Sequence, residues 1–112
     1  MACYKTFAGD RLDITHYSGY PIVNHEFEIL DDAGLAYDFT NLSEVFFKLF
    51  AKAHGKELNN DDMELQIPST LLLSSTYFTE LRPTLYYHEC YWTKAGSPDD
   101  PVLLFYGVSE VI

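Results

Sequence analysis

The stretch HEFEILDDAGLAYDFTNLSEVFFKLFAKAHGKEL, His25 to Leu58, decides the fold. Upstream of its first turn, Val23, His25, Phe27 and Ile29 alternate with Asn24, Glu26 and Glu28. That period of two is the pattern of a strand with one dry face. Asp31-Asp32-Ala33-Gly34 then supplies turn chemistry: Asp side chains accept from nearby amides and Gly34 takes a positive φ. Leu35, Tyr37 and Phe39 resume the alternation, which predicts a second strand. A second compact turn follows at Ala53-His54-Gly55-Lys56.

Residues 42–54 fit two periods. Val45, Phe47, Leu49 and Ala51 alternate with Glu44, Lys48 and Lys52, as in a strand. Leu42, Val45, Phe46, Leu49, Phe50 and Ala53 also form a helical stripe. Asn41 would cap that helix and Gly55 would end it. Taken alone the window slightly favours the helix. Strand is the reading adopted, because every neighbouring segment is a strand.

Outward from this stretch, residues 1–13 read as a leading arm with a short strand, punctuated by Ser18-Gly19-Tyr20-Pro21. Asn59-Asn60-Asp61-Asp62 reads as a polar connector. Met63, Leu65 and Ile67 read as a brief strand ended by Pro68. Thr70 to Leu81 fits a helical turn or a loose crossover. Leu85 to Trp92 is a strong strand, Lys94 to Pro101 a hairpin loop, and Val102 to Ile112 a closing strand. Short strands with turn signals between them define an all-β sandwich or barrel in a single domain, 1–112.

Composition narrows the function. Apolar residues make up 47% of the chain, enough to exclude a disordered one. Seventeen acids against seven Lys and Arg give −10, and no two of those cations are adjacent. Phosphate neutralisation needs clustered cations, so neither nucleic acid nor an anionic membrane surface is an expected partner. A basic neighbour is. The N-terminus lacks a basic start followed by an apolar run, and no apolar run approaches the ~20 residues of a bilayer span. The expectation is a soluble protein that is not exported. Cys3 and Cys90 are too few for a disulfide framework. One bridge between them stays open, and two reduced thiols are expected.

The order of pieces resembles a family of immunoglobulin-like domains in bacteriophage tail and baseplate proteins, as at the N-terminus of baseplate upper proteins. The residues that carry it are Phe27 to Gly34, Asp38-Phe39-Thr40-Asn41, Val45 to Gly55, Tyr86 to Trp92, and Val102 to Ile112 with Gly107. Asn41 stands where the family usually has Gly, and His88 where it often has Tyr. The resemblance implies an immunoglobulin-like antiparallel β-sandwich, with room for one short helix. It implies a non-enzymatic virion component, assembled in the host cytoplasm, that associates with itself as a homo-oligomer and with other phage structural proteins. It also agrees with a strand at Val45.

Catalytic signatures are weak. His88 and Cys90, at i and i+2 on one strand face, lie ~6.5 Å apart along the strand, too far for a catalytic pair. Nothing nearby has zinc-like spacing. Tyr86, His88, Cys90 and Trp92 are therefore assigned to the core, with Tyr87, Glu89 and Tyr91 outward. Asp31-Asp32, Asp61-Asp62 and Asp99-Asp100 read as solvated turns, without the spacing of a calcium loop. No serine has the Gly-x-Ser-x-Gly context of an activated nucleophile. No cofactor or metal is expected.

Nine Tyr, eight Phe and one Trp are more rings than one small core absorbs, which points to protein contacts. Phe46, Phe50, Tyr87 and Tyr91 are the interface candidates. A free-standing binding domain for a carbohydrate or host-surface ligand is the alternative, with exposed rings and acids forming a concave site.

Overall fold

The computed structural model describes residues 2–17, 24–52, 55–74 and 81–112. The expected punctuation at Ser18–Pro21, Val23, the Ala53-His54 half of the second turn, and residues 75–80 lie outside these. Ten strands are described: β1 (Ala2–Phe7), β2 (Asp10–Arg11), β3 (Ile14–His16), β4 (Asn24–Leu30), β5 (Leu42–Phe50), β6 (Glu57–Asp62), β7 (Glu64–Gln66), β8 (Thr70–Ser74), β9 (Leu85–Lys94) and β10 (Ser97–Val111). They form a four-stranded sheet, β1-β4-β8-β7, and a six-stranded sheet, β2-β10-β9-β5-β6 with β3 also on β10. The two pack as an all-β sandwich, and no helix occurs among the described residues.

The dry face of β4 is the one the alternation predicts: His25, Phe27 and Ile29 are buried between the layers. Phe27 stacks on Phe105 of β10 at 4.9 Å, joining the two sheets at their centre. The window 42–50 is strand. Val45, Phe47 and Leu49 are buried, and β5 pairs antiparallel with both β9 and β6. Two partners along its length satisfy more backbone groups than an isolated helical turn could, so tertiary pairing overrides the local helical stripe. In β9, Tyr86, His88, Cys90 and Trp92 all face inward as expected. The Tyr86 hydroxyl donates to the Arg82 carbonyl at 3.0 Å, the tyrosine corner characteristic of immunoglobulin-like sandwiches.

The sheets are mixed rather than wholly antiparallel. β1 runs parallel to β4, while β2 and β3 run parallel to β10. The leading arm, residues 1–13, thus contributes two strands, one to each layer, where one short strand was expected, and β3 follows directly after it. Four further expectations change. Leu35–Phe39 is not a strand: it makes one bridge, Leu30 with Ala36, and Leu35 is exposed. Its aromatics instead plug the end of the sandwich, with Phe39 and Tyr37 edge-on to Trp92 at 5.3 and 5.9 Å. The Asn59–Asp62 connector belongs to the edge strand β6, and residues 70–74 form strand β8 rather than a turn or crossover. The 94–101 loop contracts to Ala95-Gly96, since β10 already begins at Ser97. Gly96 has φ +88, which a two-residue connection between antiparallel strands demands.

The first turn of the deciding stretch uses the expected chemistry. Asp31 Oδ1 accepts from the Ala33 and Leu35 amides at 2.9 and 3.0 Å, and Gly34 has φ +80. Asn41 adopts φ +63, the left-handed conformation that Asn tolerates better than most residues, where the resembled family has Gly.

Candidate functional site

Among the described residues, chemistry-bearing side chains gather around buried His88, at a His16–His25 contact, and on the outer face of the six-stranded sheet.

His88 lies inside, opposite Gly107 of β10. Its Nε2 is 2.7 Å from the Leu12 carbonyl, which can only accept, so Nε2 carries the proton. Nδ1 is then the acceptor for the Ser109 hydroxyl at 2.6 Å. A Cβ on Gly107 would overlap the Leu12 carbonyl oxygen and lie 2.6 Å from Asp13 Oδ1. Asp13 in turn accepts from the Val108 amide at 2.8 Å and from Arg11 Nε at 3.0 Å. Gly107 therefore lets the Leu12-Asp13 backbone press onto β10, and His88 locks it there. Burial depresses the His88 pKa to about 4, although the Leu12 carbonyl and Asp13 pull the other way. Asp13 is held below the usual carboxylate range, chiefly by the Val108 amide and then by Arg11.

Cys90 is fully buried with its thiol directed at Met63 Sδ, 3.6 Å away, and burial pushes its pKa up strongly. It is thus a neutral core thiol, and His88 is committed to Ser109 and Leu12. Cys3 is exposed and also free, 3.5 Å from Glu26, so no bridge joins the two. A second histidine contact, His16 Nδ1 with His25 Nε2 at 3.3 Å, links β3 of one sheet to β4 of the other. Burial, then His16, lowers the His25 pKa to about 4. Among the described residues no group of three or more His, Cys, Asp or Glu is placed to hold a metal ion. Of the acidic doublets, Asp31-Asp32 lies in a turn, whereas Asp61-Asp62 and Asp99-Asp100 lie in β6 and β10.

The outer faces of the two sheets differ. That of the four-stranded sheet is mainly polar, carrying Lys5, Glu26, Glu28, Glu64 and Gln66 with a Lys5–Glu28 ion pair, and Phe7 is its one exposed ring among the described residues. That of the six-stranded sheet carries rings. Cross-strand register sets Val108, Tyr87 and Phe50 in one row, and Arg11, Tyr106, Glu89 and Lys48 in the next. Tyr91 and Phe46 form a third row and stack at 6.0 Å. Arg11, Phe50, Tyr87, Glu89 and Tyr106 surround a hollow of about 540 Å³.

The four interface candidates all lie on this sheet's outer side, but not alike. Tyr87 is exposed and Phe50 half-buried, both at the hollow. Tyr91 is half-buried, its hydroxyl donating to Glu89 Oε1 at 3.1 Å. Phe46 is buried, lying flat against Tyr91 with the Lys48 ammonium 5.4 Å above its ring. The sequence reading did not name Tyr106 or Arg11, and it placed Glu89 outward without making it an interface candidate. Tyr106 stands one residue before Gly107, on the side opposite to it. Trp92 is buried beneath Tyr37 and Phe39, so it offers no exposed platform for a sugar ring.

The architecture is a two-layer all-β sandwich whose six-stranded sheet carries most of the outward rings among the described residues. Among solved structures, the N-terminal domain of phage TP901-1 ORF48 is similar, with a TM-score of 0.67 at 10% identity. That match covers 99% of this chain and 98% of the domain. No family profile and no curated protein sequence matches the chain. At that identity the likeness is one of fold.

Proposed function

We propose that this chain is a non-enzymatic structural module of a bacteriophage particle, working through protein–protein assembly. The observation that carries the proposal is the end-to-end match to a phage domain: the fold agrees over 99% of the chain without a large insertion on either side. Fold alone does not fix function, so the site must agree. What supports the proposal at the site is that His88 is bonded to Ser109 and Leu12, and that the outer face of the six-stranded sheet exposes Tyr87 and Tyr106. Rings on a rigid face give contact area at little entropic cost. Baseplate or tail is the location the resemblance favours, with self-association alongside binding to neighbouring structural proteins.

The test is mass in solution by light scattering, for the chain alone and mixed with each structural protein encoded beside it. Formation of a defined complex supports assembly. A monomer that ignores every neighbour contradicts it.

A further inference from the structure

We infer that the hollow on the outer face of the six-stranded sheet receives an arginine side chain carried by an exposed segment of another protein. The inference rests on the assembly reading and names the chemistry of the contact.

Geometry comes first. Glu89 lies between two tyrosines on this face: Tyr106 is its cross-strand neighbour on β10, and Tyr87 precedes it by two on β9. Such positions bring Cβ atoms to ~4.5–8 Å, within reach of one planar group. Tyr87 and Tyr106 are 37% and 43% exposed, so their rings are open to a visitor. At about 540 Å³ the hollow accommodates a side chain with its flanking backbone, and is too small for a packed element.

Charge decides the occupant. The two cations nearest Glu89 in the sheet lattice are engaged elsewhere. Lys48, directly across on β5, leans away to Glu57 at 3.4 Å and over the Phe46 and Tyr91 rings. Arg11, beyond Tyr106, is bound to Asp13 at 3.0 Å. Among the described residues Glu89 has no cation within ion-pair distance. The Tyr91 hydroxyl donates to its Oε1 and holds it in place. The result is a held carboxylate flanked by two exposed tyrosines. A guanidinium suits it, stacking on the rings while donating to the carboxylate. A second copy is the poorer occupant of this hollow, because its seven cations are scattered among seventeen acids.

The test is a two-dimensional amide NMR titration of the full chain. The probe is a short uncharged peptide with one central arginine, compared with the same peptide bearing citrulline. The arginine peptide should shift Tyr87, Glu89, Tyr106 and Gly107, the citrulline peptide should not, and added salt should weaken the effect. Glu89→Gln, an isosteric change on the surface, should weaken arginine binding about tenfold, since a hydrogen bond to a charged group is lost. Equal binding of the two peptides, no loss in Glu89→Gln, or no shift at these residues overturns the inference. Shifts at the same residues produced by methyl glycosides, or by concentrating the protein alone, also overturn it, in favour of a sugar or a second copy. If Glu89→Gln still joins neighbouring structural proteins as the wild type does, the assembly reading survives and this one fails.

Discussion

Replacing His88 with leucine should make the acid response of the fold smaller while lowering its stability at neutral pH. In the native chain burial holds the His88 pKa near 4, against an ordinary value of 6.5. Between those pH values the unfolded chain binds a proton that the folded chain refuses. Stability from this group is therefore complete above pH 6.5 and is lost as pH falls toward 4. At about 1.36 kcal/mol for each pH unit, the loss amounts to roughly 3 kcal/mol by pH 4. That is a large part of the roughly 5–15 kcal/mol that holds a domain folded. Leucine removes the titration but strands the Leu12 carbonyl and the Ser109 hydroxyl, at about 2 kcal/mol. The two stability curves should therefore cross: the variant is weaker at pH 7.5 and equal or stronger near pH 4. Urea denaturation followed by tryptophan fluorescence at a series of pH values measures both curves, with Trp92 as the single reporter. Parallel curves would refute the buried, neutral His88 on which the arm's anchorage depends.

Four further outcomes follow from the same contacts. Gly107→Ala should cost about 2 kcal/mol or more and should speed hydrogen exchange at the Leu12 and Val108 amides, because its methyl displaces the arm from β10. Tyr86→Phe should lose about 1 kcal/mol in urea titration, the net value of one hydroxyl-to-carbonyl bond. Asn41→Gly should change the melting point little, whereas Asn41→Val should lower stability by about 1–2 kcal/mol, since φ is +63 there. A thiol reagent should label Cys3 at once and Cys90 only on unfolding, as one is exposed and the other buried with its thiolate disfavoured.

What the sequence revealed depended on whether a strand has one wet face. β4 and β9 each set polar residues against a buried row, so their alternation showed both strand and orientation. β6 did not, because an edge strand with a single partner needs little apolar surface. Its Asn and Asp residues are those that discourage edge-to-edge aggregation, and they resemble a loop. β8, TLLLS, is continuously apolar and has no period to read. Tyr37 and Phe39 alternate without being a strand, since their rings are wanted around Trp92 and their backbone is not wanted in a ladder. The first three strands pair in parallel with partners far along the chain, and no local signal marks such pairing.

The aromatic face was legible in part for a related reason. Tyr87, Tyr91 and Phe50 fall on the outward phase of strands whose inward phase is clear. In β10, a register shift between Leu103 and Phe105 places Leu104 and Phe105 both inside, which hides the phase that puts Tyr106 outside. Phe46 is outward by phase yet buried, because Tyr91 and Lys48 fold over it.

The most direct test of the central claim, that this ring-bearing face is how the module docks, is co-elution of a Tyr87→Ala/Tyr106→Ala variant with the neighbouring structural proteins. Both rings are exposed, so the variant should keep the wild-type circular dichroism and melt close to the wild type while failing to enter the complex. A folded variant that assembles as well as the wild type would contradict the account.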